Sequence, residues 1–100
     1  MRKGRSKMAE KIRKHFVFTG DVQGVGFRYR AQYAAQMADL TGWVINRWDG
    51  SVEMEVQGPE EEIERMIERI AAGTYVYITD RKEWRQPIDE EESGFHVRYD

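Results

Sequence analysis

Phenylalanine occupies every second position of residues 15–19, where Phe16 and Phe18 alternate with His15 and Val17. A period of two is typical of a β-strand that buries one face. The stretch GDVQGVGFR at residues 20–28 then brings three glycines and ends the alternation. We therefore predict a strand over 15–19, followed by a loop that leads into the next element.

Residues 27–40 repeat their apolar positions at helical spacing. These positions fall at i, i+4, i+7, i+8 and i+11, one face of a helix, and they are Phe27, Ala31, Ala34, Ala35 and Ala38. Thr41 and Gly42 are expected to end this helix.

Two further strands, 43–48 and 51–57, are predicted around Asp49-Gly50, a dipeptide that favours a tight hairpin. The second of them alternates Val, Met and Val with Glu, Glu and Gln, so one of its faces is expected to be buried and the other solvated. If residues 49 and 50 formed a two-residue turn, Asn46 would pair with Glu53 and point away from the face of Ile45 and Met54.

The second half of the chain repeats the same order of elements. Gly58-Pro59 is expected to open a second helix, whose first turn is acidic and whose apolar stripe ends before Gly73. A strand follows over 75–79, extending toward Trp84, and then a polar loop over 85–94 and a closing strand over 95–99. The order predicts an α+β fold: a ferredoxin-like α/β sandwich, βαββαβ with a short closing strand, in which two helices cover one face of an antiparallel sheet.

Composition narrows the class of protein. One hundred residues are the size of one domain, and no apolar run approaches the roughly 20 residues that span a bilayer. The chain has no cysteine and two histidines, too few for a convincing metal cluster, so we expect no metal site. The N-terminus lacks the apolar stretch of a secretory signal, and a cytoplasmic location is therefore expected.

Charge is distributed unevenly along the chain. Residues 1–14 carry seven Lys or Arg against Glu10, a balance of +6, whereas the whole chain sums to −2. We interpret residues 1–13 as a flexible basic extension and residues 14–100 as the folded domain. A basic arm can also contact nucleic acid or a membrane surface, and this alternative stays open.

The glycine-bearing loop and Arg28 are the first candidates for chemistry. A loop that leads into a helix can turn several backbone N–H groups toward one anion. Arg28 lies in the first helical turn, where the helix dipole disfavours a cation by a few tenths of a kcal/mol up to ~1 kcal/mol, and a bound anion would reverse that penalty. The alternatives are glycines that merely let the chain turn, and an arginine that is solvated or paired with Asp21.

Asn46 is the second candidate, because asparagine is poorly suited to strands and here follows Trp43-Val44-Ile45. Its amide both donates and accepts hydrogen bonds, so it could hold a water molecule without taking a proton from it. A polar residue at the end of a strand is the alternative reading.

GDVQGVGFR at 20–28, followed by GWVINRWDGSVEMEVQGPEEEIERMI at 42–67, resembles the two signature segments of the acylphosphatase family. GFHVRY at 94–99 resembles its closing strand. The resemblance implies catalytic roles for Arg28, which grips the phosphate oxygens, and for Asn46, which orients the attacking water. It also implies a phosphate-binding set that cradles the anion largely with backbone amides, namely Gly20, Asp21, Val22, Gln23, Gly24, Val25, Gly26, Phe27 and Arg28.

The activity implied by the resemblance is hydrolysis of small-molecule acyl phosphates to a carboxylate and inorganic phosphate. Water would attack phosphorus directly and in line, without a metal ion, a cofactor or a phosphoenzyme, and inorganic phosphate would be both product and inhibitor. We expect a monomer. Asp21 departs from the family pattern and predicts a raised KM unless its side chain turns outward, and residues 71–84 lack the family's usual glycine-proline loop.

Two other functions compete with this interpretation. The basic arm and the sandwich fold would suit a non-catalytic phosphate or nucleic-acid binding module. However, Glu53 and Glu55 make one sheet face acidic, so nucleic acid is a poor partner. A regulatory or carrier role is the second, since similar domains occur inside larger enzymes such as the hydrogenase-maturation carbamoyltransferase.

Overall fold

The computed structural model describes residues 10–99, and it contains five strands and two helices within that range. The elements are β1 (Lys11–Asp21), α1 (Phe27–Met37), β2 (Thr41–Asn46), β3 (Val52–Pro59), α2 (Glu60–Ala71), β4 (Tyr77–Gln86) and β5 (Phe95–Arg98). Neither helix of this part of the chain is long and apolar enough to cross a membrane.

The five strands form one sheet in the order β4-β1-β3-β2-β5. Strand β3 lies at the centre and pairs antiparallel with β1 and β2, while β1 also pairs antiparallel with β4. Both helices pack on the sheet and against each other. The predicted ferredoxin-like sandwich is confirmed, with one addition: β5 joins β2 in parallel, so the sheet is mixed.

The apolar core lies between the sheet and the helices. Phe16 and Phe18 are fully buried on this side of β1, and their rings stack with centroids 5.6 Å apart. The ring of Phe27 lies 5.3 Å from that of Phe18 and is 2 % exposed. Because Phe27 is the first residue of α1, this contact holds the start of the helix over the end of β1.

Helix α1 ends at Met37, three residues before the predicted end. Asp39 adopts a left-handed conformation with φ 57°. The N–H of Leu40 donates to the carbonyl of Ala35 at 2.9 Å, and the N–H of Asp39 donates to that of Gln36 at 3.4 Å. This pair of bonds is a Schellman motif, which stops a helix and turns the next apolar residue, here the buried Leu40, back onto it.

The β2–β3 hairpin differs from the predicted two-residue turn. The N–H of Arg47 donates to the carbonyl of Ser51 at 2.9 Å, and Gly50 has φ 92°, so the loop is longer and includes a residue in a left-handed conformation. Asn46 consequently pairs with Val52 rather than with Glu53. The one-residue difference turns Asn46 toward the helix-covered face of the sheet, the face of Val52 and Met54.

The boundaries of β4 and β1 also differ from the prediction. Residues 73–76 form a turn in which Val76 N–H donates to the Gly73 carbonyl at 3.1 Å, so β4 begins at Tyr77 and extends to Gln86. Strand β1 begins at Lys11, within the segment predicted as an extension. The remainder of that extension, residues 1–9, lies outside the described residues.

The face of the sheet opposite the helices carries a buried histidine. His15 is 7 % exposed, and its ring stacks on Trp84 with centroids 4.8 Å apart. Its Nδ1 contacts a carboxylate oxygen of Glu55, and its Nε2 contacts one of Glu53 at 2.5 Å. His15 therefore bridges the two carboxylates across the sheet face.

Arg13 extends this network along the same face. Its Nε donates to Glu55 at 2.5 Å, and its Nη1 donates to Glu92 at 2.7 Å. The bond to Glu92 is the main cause that raises the pKa of Arg13, against the opposing effect of burial. Burial raises the pKa of Glu55, but hydrogen bonds from His15 and Arg13 outweigh it and leave that pKa below its usual value.

This network predicts how stability depends on pH. Because the pKa of Glu55 is lower in the folded chain, the unfolded chain binds more protons, and the stabilisation is lost as pH falls below the ordinary glutamate value of about 4.3. We expect Glu55→Gln to lower the free energy of unfolding at pH 7 and to flatten its decline between roughly pH 4.3 and pH 3. Urea unfolding across this range measures both effects.

Glu68→Gln is the matched control, since Glu68 is exposed on α2 and forms no ion pair within residues 10–99. It should keep the slope of the parent chain. Equal slopes for Glu55→Gln and the parent would contradict the assignment.

Candidate active site

The ends of β1 and β2 are held side by side by the central strand. Val52 of β3 lies opposite Phe18 of β1 on one side and opposite Asn46 of β2 on the other. Neighbouring strands are about 4.8 Å apart, so Phe18 and Asn46 are separated by about 10 Å. The loop that leaves β1 and enters α1 therefore begins within reach of the Asn46 side chain.

Strand β5 brings the end of the chain to the same edge. It runs parallel to β2, with Val44 opposite Val97 and Ile45 opposite Arg98. One further step in this register places Tyr99 beside Asn46. A parallel pair carries both strands toward the same end of the sheet, so the closing residues reach the loop as well.

A cavity of about 140 Å³ lies where these segments meet. A cavity of roughly 150 Å³ admits a molecule the size of benzene, so this one suits a small ligand. Its lining combines the β1–α1 loop, the first turn of α1 and the ends of two strands, through Val22, Gly24, Gly26, Phe27, Arg28, Tyr29, Asn46, Val97 and Tyr99.

Two glycines give the loop its path around the cavity. Gly24 has φ 73° and Gly26 has φ 85°, both in the left-handed region. A Cβ atom at either position would meet nothing within 4 Å. Backbone conformation, not lack of space, therefore requires glycine here, and an L-residue would be strained by about 1 kcal/mol or more.

The start of α1 supplies hydrogen-bond donors to the cavity. Gly26 caps the helix without a side-chain hydrogen bond from any described residue, and the first turn contains no acidic residue. The first intrahelical bond runs from Arg30 N–H to the Gly26 carbonyl at 3.0 Å. The N–H groups of residues 27–29 thus have no partner within the helix, and together with the helix dipole they favour an anion.

The Arg28 guanidinium stands at the rim of this cavity. It is partly buried, and its Cζ lies 4.9 Å from the centroid of the Tyr99 ring. Such a cation–π contact orients the planar guanidinium without consuming its hydrogen-bond donors. Arg28 forms no ion pair with Asp21 or another carboxylate in the part of the chain that is described, so its charge is left to a ligand.

Asn46 presents an unpaired acceptor. Its Oδ1 is buried and has no hydrogen-bond partner among residues 10–99. Leaving a buried acceptor unsatisfied costs about 1–3 kcal/mol. Because Asn46 lines the same cavity as Arg28, a water or ligand donor within the cavity would recover that cost.

Gln23 joins the loop to the hairpin. Its Nε2 donates to the carbonyl of Arg47 at 2.6 Å and to that of Ser51 at 2.8 Å. These carbonyls close the base of the hairpin loop, and Arg47 directly follows Asn46. The Gln23 side chain therefore fixes the position of the loop relative to Asn46.

The structure places the predicted phosphate-binding set in two groups. The residues that line the cavity are Val22, Gly24, Gly26, Phe27 and Arg28. Gly20, Asp21, Gln23 and Val25 are not part of this lining: Gly20 instead allows close approach to β4, where a Cβ would meet the Tyr77 carbonyl at 2.2 Å. Asp21 is exposed.

Three lining residues were not predicted from the sequence: Tyr29, Val97 and Tyr99. The alternation of the closing strand places Val97 and Tyr99 on one face, which is a usable signal. The proximity of Val97 and Tyr99 to Asn46 depends on the parallel pairing of β5 with β2. The local sequence does not predict this pairing.

Comparison with known proteins identifies the family. The family model described as Acylphosphatase matches residues 14–97. A protein named acylphosphatase from Geobacillus thermodenitrificans is 42 % identical over 88 residues, covering 87 % of this chain and 94 % of that protein.

Solved structures of acylphosphatases also match this chain. The acylphosphatase from Bacillus subtilis superposes with a TM-score of 0.80 at 35 % identity, over 88 % of this chain and 99 % of that one. Full-length HypF in its phosphate- and nucleotide-bound form matches 90 % of this chain with a TM-score of 0.79 at 27 % identity, over 12 % of its own length. On this sequence and fold, the chain belongs to the acylphosphatase family, hydrolases that act on acid anhydrides.

Proposed function

We propose that this chain hydrolyses acyl phosphates by direct in-line attack of water at phosphorus, with Arg28 and Asn46 as its catalytic side chains and without a metal ion. The observation that carries the proposal is their shared cavity of about 140 Å³, in which a guanidinium, an unpaired amide oxygen and the start of a helix face one small volume. The loop N–H groups and Arg28 supply donors for the phosphoryl oxygens.

In the proposed reaction, the bond from the water oxygen to phosphorus forms as the bond from phosphorus to the acyl oxygen breaks. The leaving carboxylate takes the electron pair of the broken bond, and the water proton passes to a phosphoryl oxygen. The products are a carboxylate and inorganic phosphate. Asn46 Oδ1 accepts a hydrogen bond from the attacking water and so sets its direction.

The lining of the cavity supports a reaction without a protein base. No carboxylate, histidine, lysine or cysteine side chain is among the described residues that line it. Phosphoryl transfer depends mainly on positioning and on stabilising charge over the phosphoryl oxygens. An acyl phosphate has a good leaving group, so these two contributions can suffice.

Asp21 bears on substrate affinity. Its side chain is exposed at the end of β1 and is not part of the cavity lining. The condition under which we expected weaker anion binding, a carboxylate directed into the loop, is therefore not met. Solvent screens the remaining repulsion.

We also propose that the chain acts as a monomer in the cytoplasm and has no nucleic-acid partner. The open sheet face supports the last point: Glu53 and Glu55 lie on it, and the guanidinium of Arg98 covers the Trp43 ring at 4.8 Å. An acidic face with a covered tryptophan is a poor platform for stacking bases.

Turnover without metal is the first test of the proposal. Purified protein should hydrolyse acetyl phosphate and benzoyl phosphate in metal-free buffer, at a rate that chelator does not change, and inorganic phosphate should inhibit competitively because it occupies the same cavity. Initial rates with and without chelator measure this. Phosphate binding without hydrolysis of either substrate would instead indicate a binding module.

The two catalytic side chains should respond differently to substitution. Arg28→Ala should lower kcat/KM on the order of 10³-fold, because charge stabilisation and binding are lost together. Arg28→Lys should restore little, since an ammonium cannot reproduce the planar fork. Asn46→Ala should lower kcat on the order of 10² to 10³-fold with little change in KM.

Arg85→Ala is the control for removal of a positive charge, because Arg85 is exposed on β4 and does not line the cavity. It should match the parent. An Asn46→Ala variant as fast as the parent would reject the water-positioning role.

Gln23 should act through the geometry of the loop. Gln23→Ala removes two donated bonds, and Gln23→Glu places a carboxylate against two carbonyl oxygens, so the second change should lower kcat more than the first, by about tenfold or more. Gln36→Ala, an exposed glutamine on the same α1 helix, is the control. Steady-state kinetics on acetyl phosphate decide, and parental activity in Gln23→Glu would contradict the role.

A further inference from the structure

The outer surface of α1 carries an apolar stripe that packs against nothing in the core. Tyr29, Tyr33 and Met37 follow one another at four-residue spacing and are 75 %, 66 % and 58 % exposed. The buried face of the helix is formed by other residues, from Phe27 to Ala35. A surface helix normally exposes polar residues on this side. The two exposed tyrosines lie one turn apart, about 6 Å along the helix axis. Their rings are therefore available to contact a ligand.

Two arginines flank the tyrosines. Arg30 donates from Nε and Nη2 to the carbonyl of Arg69 at 3.3 and 3.2 Å, which leaves Nη1 without a partner in residues 10–99. Arg69 contacts the sulfur of Met37 at 4.0 Å. Neither guanidinium forms an ion pair with a carboxylate of the described chain, so both positive charges remain available to an anion.

These side chains enclose a groove that adjoins the catalytic cavity. The groove measures about 400 Å³ and is lined by Tyr29, Tyr33, Arg30 and Arg69, with the small residues Ala34 and Ala72 as its floor. Tyr29 also lines the catalytic cavity. Tyr29 is thus common to both linings, and a molecule whose phosphoryl group lies beside Arg28 can extend past Tyr29 into the groove.

We propose that this groove binds the acyl end of the substrate and that the chain prefers acyl phosphates with an extended apolar or aromatic acyl group that ends in a second anionic group. The tyrosine rings contact the apolar part, and Arg30 and Arg69 bind the terminal anion. This inference rests on the proposed function, because it assumes that the phosphoryl group occupies the cavity at Arg28.

The geometry of α1 sets the length of the preferred substrate. Successive residues turn by about 100° around a helix, so Arg28 and Arg30 lie on nearly opposite sides of α1, with Tyr29 between them. The turn of about 100° from Arg28 to Tyr29, where the groove begins, is an arc of ~9 Å on a helix about 10 Å across. An acetyl group is too short to cover this arc, whereas an aryl-propanoyl group with a terminal carboxylate covers it and brings the carboxylate into the groove.

The test compares two synthetic substrates that differ only in charge: 3-(4-carboxyphenyl)propanoyl phosphate and the corresponding amide, 3-(4-carbamoylphenyl)propanoyl phosphate. For the parent chain, kcat/KM should be about fivefold higher for the carboxylate at low ionic strength, the effect of a well-placed exposed ion pair. Added salt should reduce this ratio. Arg69→Gln should lower this ratio, since it removes one of the two arginines that bind the terminal anion.

Arg65→Gln is the matched control, because Arg65 lies one turn earlier on α2, is paired with Glu62 at 2.9 Å and does not line the groove. It removes the same charge and should keep the parental ratio. Tyr33→Ala should lower kcat/KM severalfold for both aryl substrates and leave their ratio unchanged.

The outcomes separate the two proposals. A parent chain that hydrolyses acetyl phosphate but shows equal kcat/KM for the carboxylate and the amide would overturn the acyl groove and leave the proposed function standing. A parent chain that hydrolyses no acyl phosphate would overturn the proposed function itself. If Arg65→Gln lowered the ratio as much as Arg69→Gln, general electrostatic attraction rather than the groove would be responsible, and the inference would fail.

Discussion

The cavity depends on a group of backbone N–H donors at the start of α1 that have no partner within the helix. A helix leaves its first N–H groups unpaired, and here no described side chain caps α1 and no acid occupies its first turn. In most helices this arrangement would only lose stability, since a cap contributes typically about 1 kcal/mol. An uncapped helix start becomes useful when a multiply charged anion takes the place of the cap. The N–H groups that lack a capping side chain are then the groups that bind the anion.

Such a design works when the donors cannot relax away from each other. Phe27 packs on Phe18 and thereby anchors the helix start to the end of β1. Gln23 then ties the loop to the hairpin that follows Asn46. The register of three strands through Val52 completes the frame. The cavity is therefore assembled by contacts that are themselves mostly apolar or backbone-directed, and these contacts engage neither the Arg28 guanidinium nor Asn46 Oδ1, the groups to which we assign the chemistry.

Sequence patterns predict the order of elements well because burial imposes periodicity on each of them. They make Arg28 and Asn46 candidates because each residue is unusual in its place, a cation at a helix start and an amide in a strand, while the catalytic roles of both come from the family resemblance. Sequence patterns do not predict features that depend on contacts between segments far apart in the chain. The hairpin length, and with it the face that Asn46 occupies, depends on Gln23 and Ser51 as well as on Asp49-Gly50. The resemblance to acylphosphatases gave the loop residues as one set, of which five line the cavity and four do not.

Charge pairing explains how a chain with net charge −2 can present a positive site. On the open sheet face, Glu53, Glu55 and Glu92 are engaged by Arg13 and His15. Near α1, by contrast, Arg28, Arg30 and Arg69 have no carboxylate partner within residues 10–99. Paired charges cancel at a distance, so the local potential beside the cavity is set by the unpaired arginines rather than by the total. The ion pairs of one face thus leave the opposite face free to attract an anionic substrate.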